Sequence, residues 1–353
     1  MESLVLSVFW KDKRVLLTGH TGFKGSWLAL WLRSMGAEVF GFSLAPDTTP
    51  SLFEQLGLEQ LISHTVGDIR DAEALSAHID FCKADVVFHL AAQPLVLRGY
   101  QESPLTWGTN VMGTVNLLEG LRKAGRDCSV VVVTTDKVYE NLETNHLYTE
   151  DDRLGGLDPY SASKAGTEMV AHSYRFVMGQ EKLPIRLACA RAGNVIGGGD
   201  WADNRLVPDI LRAVANNQSV HTRNPQSVRP WQHVLEPLAG YIQLAENLSG
   251  DQPLETAFNF GPEPSDNRTV KDVIQTALKY WQGEFHEADV PNAPHEAGLL
   301  MLSVDKAKAS LNWEPKWDFE TTIAKTMEWY KLVHEGASPI EVTQRQISEF
   351  SQL

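Results

Sequence analysis

RVLLTGHTGFKGSWL, residues 14–28, runs from an apolar segment through three glycines into an amphipathic pattern. RVLLTG (14–19) has the β-branched and leucine content of a buried strand, and GSWLALWLRSMG (25–36) reads as a helix stopped by Gly36. Gly19, Gly22 and Gly25 give the spacing G-x-x-G-x-x-G between them. Glycine lets the backbone turn tightly and approach a pyrophosphate, and the helix N-terminus offers unpaired N–H groups and the positive end of the helix dipole. Between a strand and a helix, this spacing reads as a dinucleotide-binding turn, with a purely structural turn as the alternative.

Outward from that turn the alternation continues. EVFGFSL (38–44), HTVGDIRD (64–71), ADVVFHLAAQ (84–93), SVVVVTTDKVY (129–139) and PIRLACARAGNVIG (184–197) read as strands. TNVMGTVNLLEGLRKAG (109–125) and DPYSASKAGTEMVAHSYRFVMG (158–179) read as helices. Strands alternating with helices predict an α/β protein, a Rossmann-type doubly wound parallel sheet covered on both faces. After residue 197 glycine, asparagine and proline rise, which predicts a smaller, mixed C-terminal substrate lobe. The expected division is 1–188 for the dinucleotide-binding domain and 189–353 for the second lobe, with segments near 230–262 returning to the first.

The composition limits the function classes. The 353 residues are 43% hydrophobic and 22% charged, enough for a large core. A net charge of −14 argues against nonspecific nucleic-acid binding, while leaving room for an anionic small ligand held by a few arginines. Cys82, Cys128 and Cys189 show neither metal-ligand nor redox spacing and read as packing residues of a reducing compartment. His20, His89 and His233 lack ligand spacing, so no metal is expected. MESLVLSVFWKDKR lacks the features of a signal peptide, and no apolar run reaches membrane-spanning length, so the expected location is the cytoplasm.

The chemistry concentrates where strands end. The valines Val130–Val133 open directly into TTDKVYEN (134–141), two hydroxyls, a carboxylate and an ammonium. Tyr160 and Lys164 stand four residues apart on a helical pattern and so share a face. A lysine near the phenol, beside a cationic nicotinamide, would favour the phenolate and make Tyr160 a base for an alcohol proton. Ser43 occupies the second-strand end where NAD sites often carry an acid, which leaves NAD against NADP open. Lys24 reads as a phosphate contact or a solvated lysine, and Asp68 as an adenine contact or a helix N-cap.

TGHTGFKG, GDIRD, HLAAQ, TNVMGT, TTDKVY, YSASK and RAGNVIG occur in the order and spacing of the extended short-chain dehydrogenase/reductases, across nearly the whole chain. Within that group the chain resembles the nucleotide-sugar 4,6-dehydratases, and GNVIGGGDWA and RPWQHVLEPL resemble the branch acting on CDP-glucose. The resemblance implies NAD as cofactor, a nucleotide sugar as substrate, and a homodimer or dimer of dimers built on helices near 109–125 and 160–178. It implies a cofactor site of Gly19, Thr21, Gly22, Phe23, Lys24, Gly25, Asp68, Ile69, Leu90, Ala91 and Ala92, with Tyr160 and Lys164. Gln93, Thr135, Asn194, Arg205, Leu206, Arg229 and His295 would meet the nucleotide sugar, with Glu296 beside the last; a surface charge is the alternative for each arginine, and a local turn cap for Asn194.

The implied reaction oxidises carbon 4, eliminates water across carbons 5 and 6, and returns the hydride to carbon 6. Tyr160 would be the base at the carbon-4 hydroxyl, assisted by Thr135, and Asp136 the acid for the leaving hydroxyl. The dTDP-glucose relatives follow that aspartate with glutamate, the expected carbon-5 base; here Lys137 follows. Lys137 reads as a neutral base, as a cation stabilising the enolate, or as a structural ion pair with Asp136. The rivals are a nucleotide-sugar 4-epimerase, which needs no acid at Asp136, and a non-catalytic NAD sensor, which would not need Tyr160 and Lys164.

Overall fold

The computed structural model describes residues 8–222, 224–250, 252, 254–287 and 299–353. Seven strands form one parallel sheet: β1 Arg14–Thr18, β2 Glu38–Ser43, β3 Ser63–Val66, β4 Val86–His89, β5 Cys128–Val133, β6 Ile185–Ala192 and β7 Ala257–Phe260. Their spatial order is 7-6-5-4-1-2-3. The order reverses between β1 and β4, which pair directly with Thr18 opposite His89. At such a reversal the loops leave the two strand ends in opposite directions and open a crevice beyond the carboxyl edge.

The valine run is explained by the two faces of this sheet. Val131 and Val133 face one hydrophobic cluster, which also takes Val15 and Leu17 of β1; Val130 and Val132 face a second, which takes Leu16. A strand buried on both faces cannot alternate apolar with polar residues, so it reads as a continuous apolar run. The first cluster is closed by helices α1 (Phe23–Ser34) and, after the long chain excursion, by residues 235–248, 319–334 and 339–351. The second is closed by α2 (Ala72–Cys82), α3 (Gly113–Ala124) and α4 (Pro159–Gln180).

The remaining long helices are α5 (Leu206–Ala215), α6 (Leu235–Leu248), α7 (Val270–Tyr280), α8 (Phe319–His334) and α9 (Pro339–Ser351). Short two-stranded ladders tie the second lobe together, among them Val220–Thr222 with Phe285–Glu287 and Val228–Arg229 with Arg268–Thr269. No described helix is long and apolar enough to cross a membrane.

Four expectations are corrected. A boundary after residue 188 falls inside β6, whose residues 185–190 pair with β5 and 189–192 with β7, so the first domain runs to at least Ala192. The C-terminal helices belong with the first domain's core as well, since Trp31 of α1 meets Phe350 of α9 edge to face at 5.9 Å. The strand pattern 184–197 is interrupted at Gly193–Asn194, with Val195–Ile196 pairing instead with Gln232–His233. The helical pattern from 109 begins as a π-turn over Gly108–Met112 before α3. Trp313 and Trp317 are buried: Trp313 Nε1 donates to the Glu236 carbonyl at 3.2 Å, and Trp317 packs on His233 and Phe350.

Candidate active site

The glycine loop lies where β1 and β4 end together. Gly19 has φ +78°, and a Cβ there would stand 2.6 Å from the Ala91 nitrogen; one on Gly25 would stand 2.1 Å from the Gly19 carbonyl oxygen. Side chains at either position would push the loop off the strand end. Gly22 caps α1 without a side-chain hydrogen bond, so the first amides of the helix point outward unclaimed by a side chain. This cradle fits a diphosphate. Thr21 donates to the Leu44 carbonyl at 2.9 Å and shares a 2.8 Å hydrogen bond with Ser43, so Ser43 braces the loop. Ala91 N donates to Thr18 Oγ1 at 3.2 Å, and the same hydroxyl meets His89 Nδ1 at 2.7 Å. Burial pushes His89 down to about 3, keeping it a neutral link to Thr114.

The third strand delivers Asp68 and Ile69. Asp68 is gripped by the Arg70 guanidinium and the Arg70 amide, which hold its carboxyl below its ordinary range. The helix N-cap, the alternative to an adenine contact for Asp68, is made by Asp71, which accepts from Glu73 N and Ala74 N. Ile69 packs on Gly113 of α3, where a Cβ would come within 2.4 Å of its Cδ1.

At the end of β5, Thr135 caps a single 3₁₀ turn, Asp136–Val138. Thr135 Oγ1 donates to Asp136 Oδ1 at 2.9 Å and is hydrogen-bonded to Tyr160. Asp136 is 2% exposed, its Oδ2 has no hydrogen-bond partner among the described residues, and burial raises its carboxyl despite Lys137 and Arg229 nearby. Lys137 makes no ion pair among the described residues, which removes the structural pair with Asp136: the two charges feel each other, but not within contact distance.

Tyr160 and Lys164 do share a face of α4, yet not as a contact pair. Lys164 Nζ donates to the Val133 carbonyl at 3.0 Å, and burial lowers its ammonium to about 8. Tyr160 is pushed up to about 12, mainly by burial, with Thr135 and the Arg205 charge pulling the other way. Arg205 is a protein cation that bears on the phenol in this site, alongside the Lys164 ammonium one turn further along the helix.

The helix is held to the strand by residues the sequence did not single out. Glu168, one turn beyond Lys164, accepts from Thr134 Oγ1 at 2.7 Å and pairs with Arg191 of β6 at 2.5 Å. Arg191 also donates to Tyr139 at 2.7 Å, and Tyr139 donates to Asn259 of β7 at 2.6 Å. Asn110, within the π-turn, accepts from Gln93 N at 2.8 Å and donates to Ser163 at 2.8 Å. Gln93 is held locally: its amide nitrogen donates to the Leu95 carbonyl and to Thr106, and its amide oxygen accepts from Leu95 N. The only advance signal was a polar residue at each buried helical position, and helical spacing alone cannot tell that from a solvated face.

Lys24 is corrected too. It is not a solvated residue: its Nζ donates to the Tyr241 hydroxyl of α6 at 2.8 Å. Arg205 pairs with the buried Asp200 at 2.9 Å while bearing on Tyr160 and Lys24, and Leu206 beside it begins α5 and packs on the core. Arg229 is 7% exposed, donates to the Val228 carbonyl, and bears on Asp136. The Asn194 side chain makes no hydrogen bond among the described residues and is half-buried. His295 and Glu296 lie outside the described residues. Burial pushes the Cys82 thiol to about 11 and Cys128 to about 12, and raises Cys189 further, so none is a ready nucleophile.

The family model described as GDP-mannose 4,6 dehydratase matches residues 16–326. The CDP-glucose 4,6-dehydratase of Salmonella typhimurium is 46% identical over 348 residues, 97% of each chain. Among solved structures, the dTDP-glucose 4,6-dehydratase of Bacillus anthracis in complex with NAD superposes with a TM-score of 0.76 at 24% identity, covering 92% of this chain and 99% of its own. The UDP-glucose 4-epimerase of Thermotoga maritima with UDP-glucose gives 0.78 at 21% identity, covering 91% and 99%. These two likenesses establish the fold.

The Glu168–Arg191 pair yields the first prediction. Both side chains are 4% exposed, so removing one partner leaves an uncompensated buried charge. Arg191→Met is expected to lower stability by about 3–5 kcal/mol in denaturant unfolding. A loss below about 1 kcal/mol, the range of an exposed pair, would show that the pair does not anchor the helix.

Proposed function

The chain belongs to the GDP-mannose 4,6 dehydratase family, and we propose that within it the protein is an NAD-dependent CDP-glucose 4,6-dehydratase, a lyase by net reaction, yielding CDP-4-keto-6-deoxyglucose. The observation that carries the reading is the buried Asp136, raised by desolvation and standing beside Thr135 and Tyr160. A carboxyl whose burial favours the protonated form is what elimination of the carbon-6 hydroxyl uses and what a 4-epimerase does not need. The 46% identity to the Salmonella enzyme supports the CDP-glucose specificity.

When bound on the glycine loop, NAD supplies the hydride acceptor for carbon 4 and the donor for carbon 6. Tyr160, as the phenolate, takes the proton of the carbon-4 hydroxyl, and the hydrogen bond from Thr135 favours that phenolate. Its phenol sits at about 12 in the protein's own field, so a further cation, the oxidised nicotinamide, has the sign needed to bring it down. Asp136 then gives its proton to the departing hydroxyl. Lys137 acts at carbon 5, and Arg229 and Arg205 hold the substrate diphosphate, with Asn194 contributing its uncommitted amide.

The subunits pair, in our reading, through the outer side of the π-turn and α4. Trp107, Met112, Met169, Phe176 and Val177 are exposed there, an apolar surface that monomers rarely leave open. We place the enzyme in the reducing cytoplasm, a reading supported by three buried, unpaired cysteines.

Four measurements test this. Purified protein with CDP-glucose is expected to give a 4-keto product without net accumulation of reduced cofactor; Tyr160→Phe is expected to lose about 10²–10⁴ in rate while binding CDP-glucose normally. Turnover of dTDP-glucose in preference would overturn the substrate, and near-normal oxidation by Tyr160→Phe the base. Lys137→Ala is expected to oxidise carbon 4 yet exchange the carbon-5 proton with deuterated solvent far more slowly. Lys137→Glu separates a base, which glutamate replaces in part, from an enolate-stabilising cation, for which glutamate is worse than alanine. Unchanged exchange in Lys137→Ala would remove both roles. Phe176→Glu is expected to shift the sedimenting species to the monomer; an unaltered oligomer would place the interface elsewhere.

A further inference from the structure

Lys24 is the second residue of α1, on the loop whose backbone forms the diphosphate cradle. Its side chain leaves the cradle and crosses to α6, where the ammonium lies on the Tyr241 hydroxyl at 2.8 Å and 5.0 Å from that ring's centre. Tyr241 is fully buried and lies in the electrostatic reach of Tyr160. The Lys24 ammonium in turn is within reach of Lys164, Arg205 and Asp136. A glycine-loop side chain thus enters the space otherwise bounded by the residues that handle the sugar.

That space also fixes where the redox ring must sit. The base Tyr160 has to meet the hydroxyl on carbon 4, and the hydride acceptor has to lie roughly 3–3.5 Å from the same carbon. A dinucleotide anchored at the glycine loop with its reactive ring beside Tyr160 therefore brings that ring towards Lys24. We propose that the Lys24 ammonium, held by Tyr241, faces the nicotinamide end of the dinucleotide and favours its reduced form over its oxidised form. The inference rests on the NAD reading above.

The reasoning is electrostatic. The oxidised ring carries a positive charge and the reduced ring none, so a fixed cation nearby penalises only the former. At an effective dielectric near 20, a unit charge about 10 Å away is worth roughly one order of magnitude in an equilibrium constant. Lys164, Arg205 and Asp136 face the half-buried amine, so its charge is screened less than in bulk water. Burial lowers the Lys24 amine to about 7, so it is largely charged at pH 6. The penalty on the oxidised ring makes the bound cofactor a stronger acceptor for the carbon-4 hydride.

The test is the affinity of the cofactor-free, full-length protein for NAD⁺ and for NADH at pH 6, by equilibrium titration, in the wild type, Lys24→Met, Lys24→Gln and Lys24→Arg. Lys24→Met and Lys24→Gln are each expected to raise the ratio Kd(NADH)/Kd(NAD⁺) by about tenfold. Lys24→Arg, which keeps the charge, is expected to leave that ratio close to the wild-type value. Equal weakening of both forms would overturn the inference and make Lys24 a diphosphate contact, and an unchanged pair of affinities would overturn it as well. A wild-type protein that binds neither form would instead overturn the NAD reading, so the two failures are distinguishable. If one neutral variant fails to fold, the other decides.

Discussion

The Glu168 carboxylate holds the site together. It sits on α4 one turn past Lys164, and it joins Thr134 at the end of β5 to Arg191 on β6. That link adds to two others between the same helix and strand end, Lys164 to the Val133 carbonyl and Thr135 to Tyr160, and it is the one that reaches on to β6. Two charged groups at 4% exposure are costly to bury, and such a pair is tolerated where its geometry and remaining hydrogen bonds are complete. Here they are completed by Tyr139 and Asn259, which extends the brace to β7.

A second theme is that one cause moves four of the groups around the sugar site. Desolvation raises Asp136 and Tyr160 and lowers Lys24 and Lys164, in every case toward the uncharged form. Burial of this kind favours the protonated carboxyl and the neutral amine without altering any residue type. It also makes each remaining charge matter more, because the low dielectric that penalises an ion strengthens its reach. Arg205 illustrates the point: paired with Asp200, it still bears on both Tyr160 and Lys24.

The glycine loop links these two themes to the fold. Its approach to Ala91 requires a bare Gly19, and its closure requires a bare Gly25, so the loop is pinned to the crevice between β1 and β4. Ser43 stands where an acid was the expectation and braces Thr21 instead. The loop is therefore fixed from below by backbone contact and from the side by a hydroxyl pair, leaving its outer amides for a ligand.

The sequence by itself determined the fold class, the turn at Gly19–Gly25 and the family, and it singled out Thr135, Asp136 and Tyr160, which the fold brings together. Each of these is written locally: a period of two or 3.6, a glycine spacing, or a motif of a few residues. What the tertiary structure decided is which long side chains point where. Lys164 bonding Val133, Lys24 crossing to Tyr241 and Glu168 bridging to Arg191 all join residues at least 23 positions apart. So do the C-terminal helices that return to cover α1. No local period encodes such pairs, since a lysine or glutamate on a helix has the same spacing whether it meets water or a buried partner. Their protonation states follow from burial, which exists only once the distant segments have closed over the site.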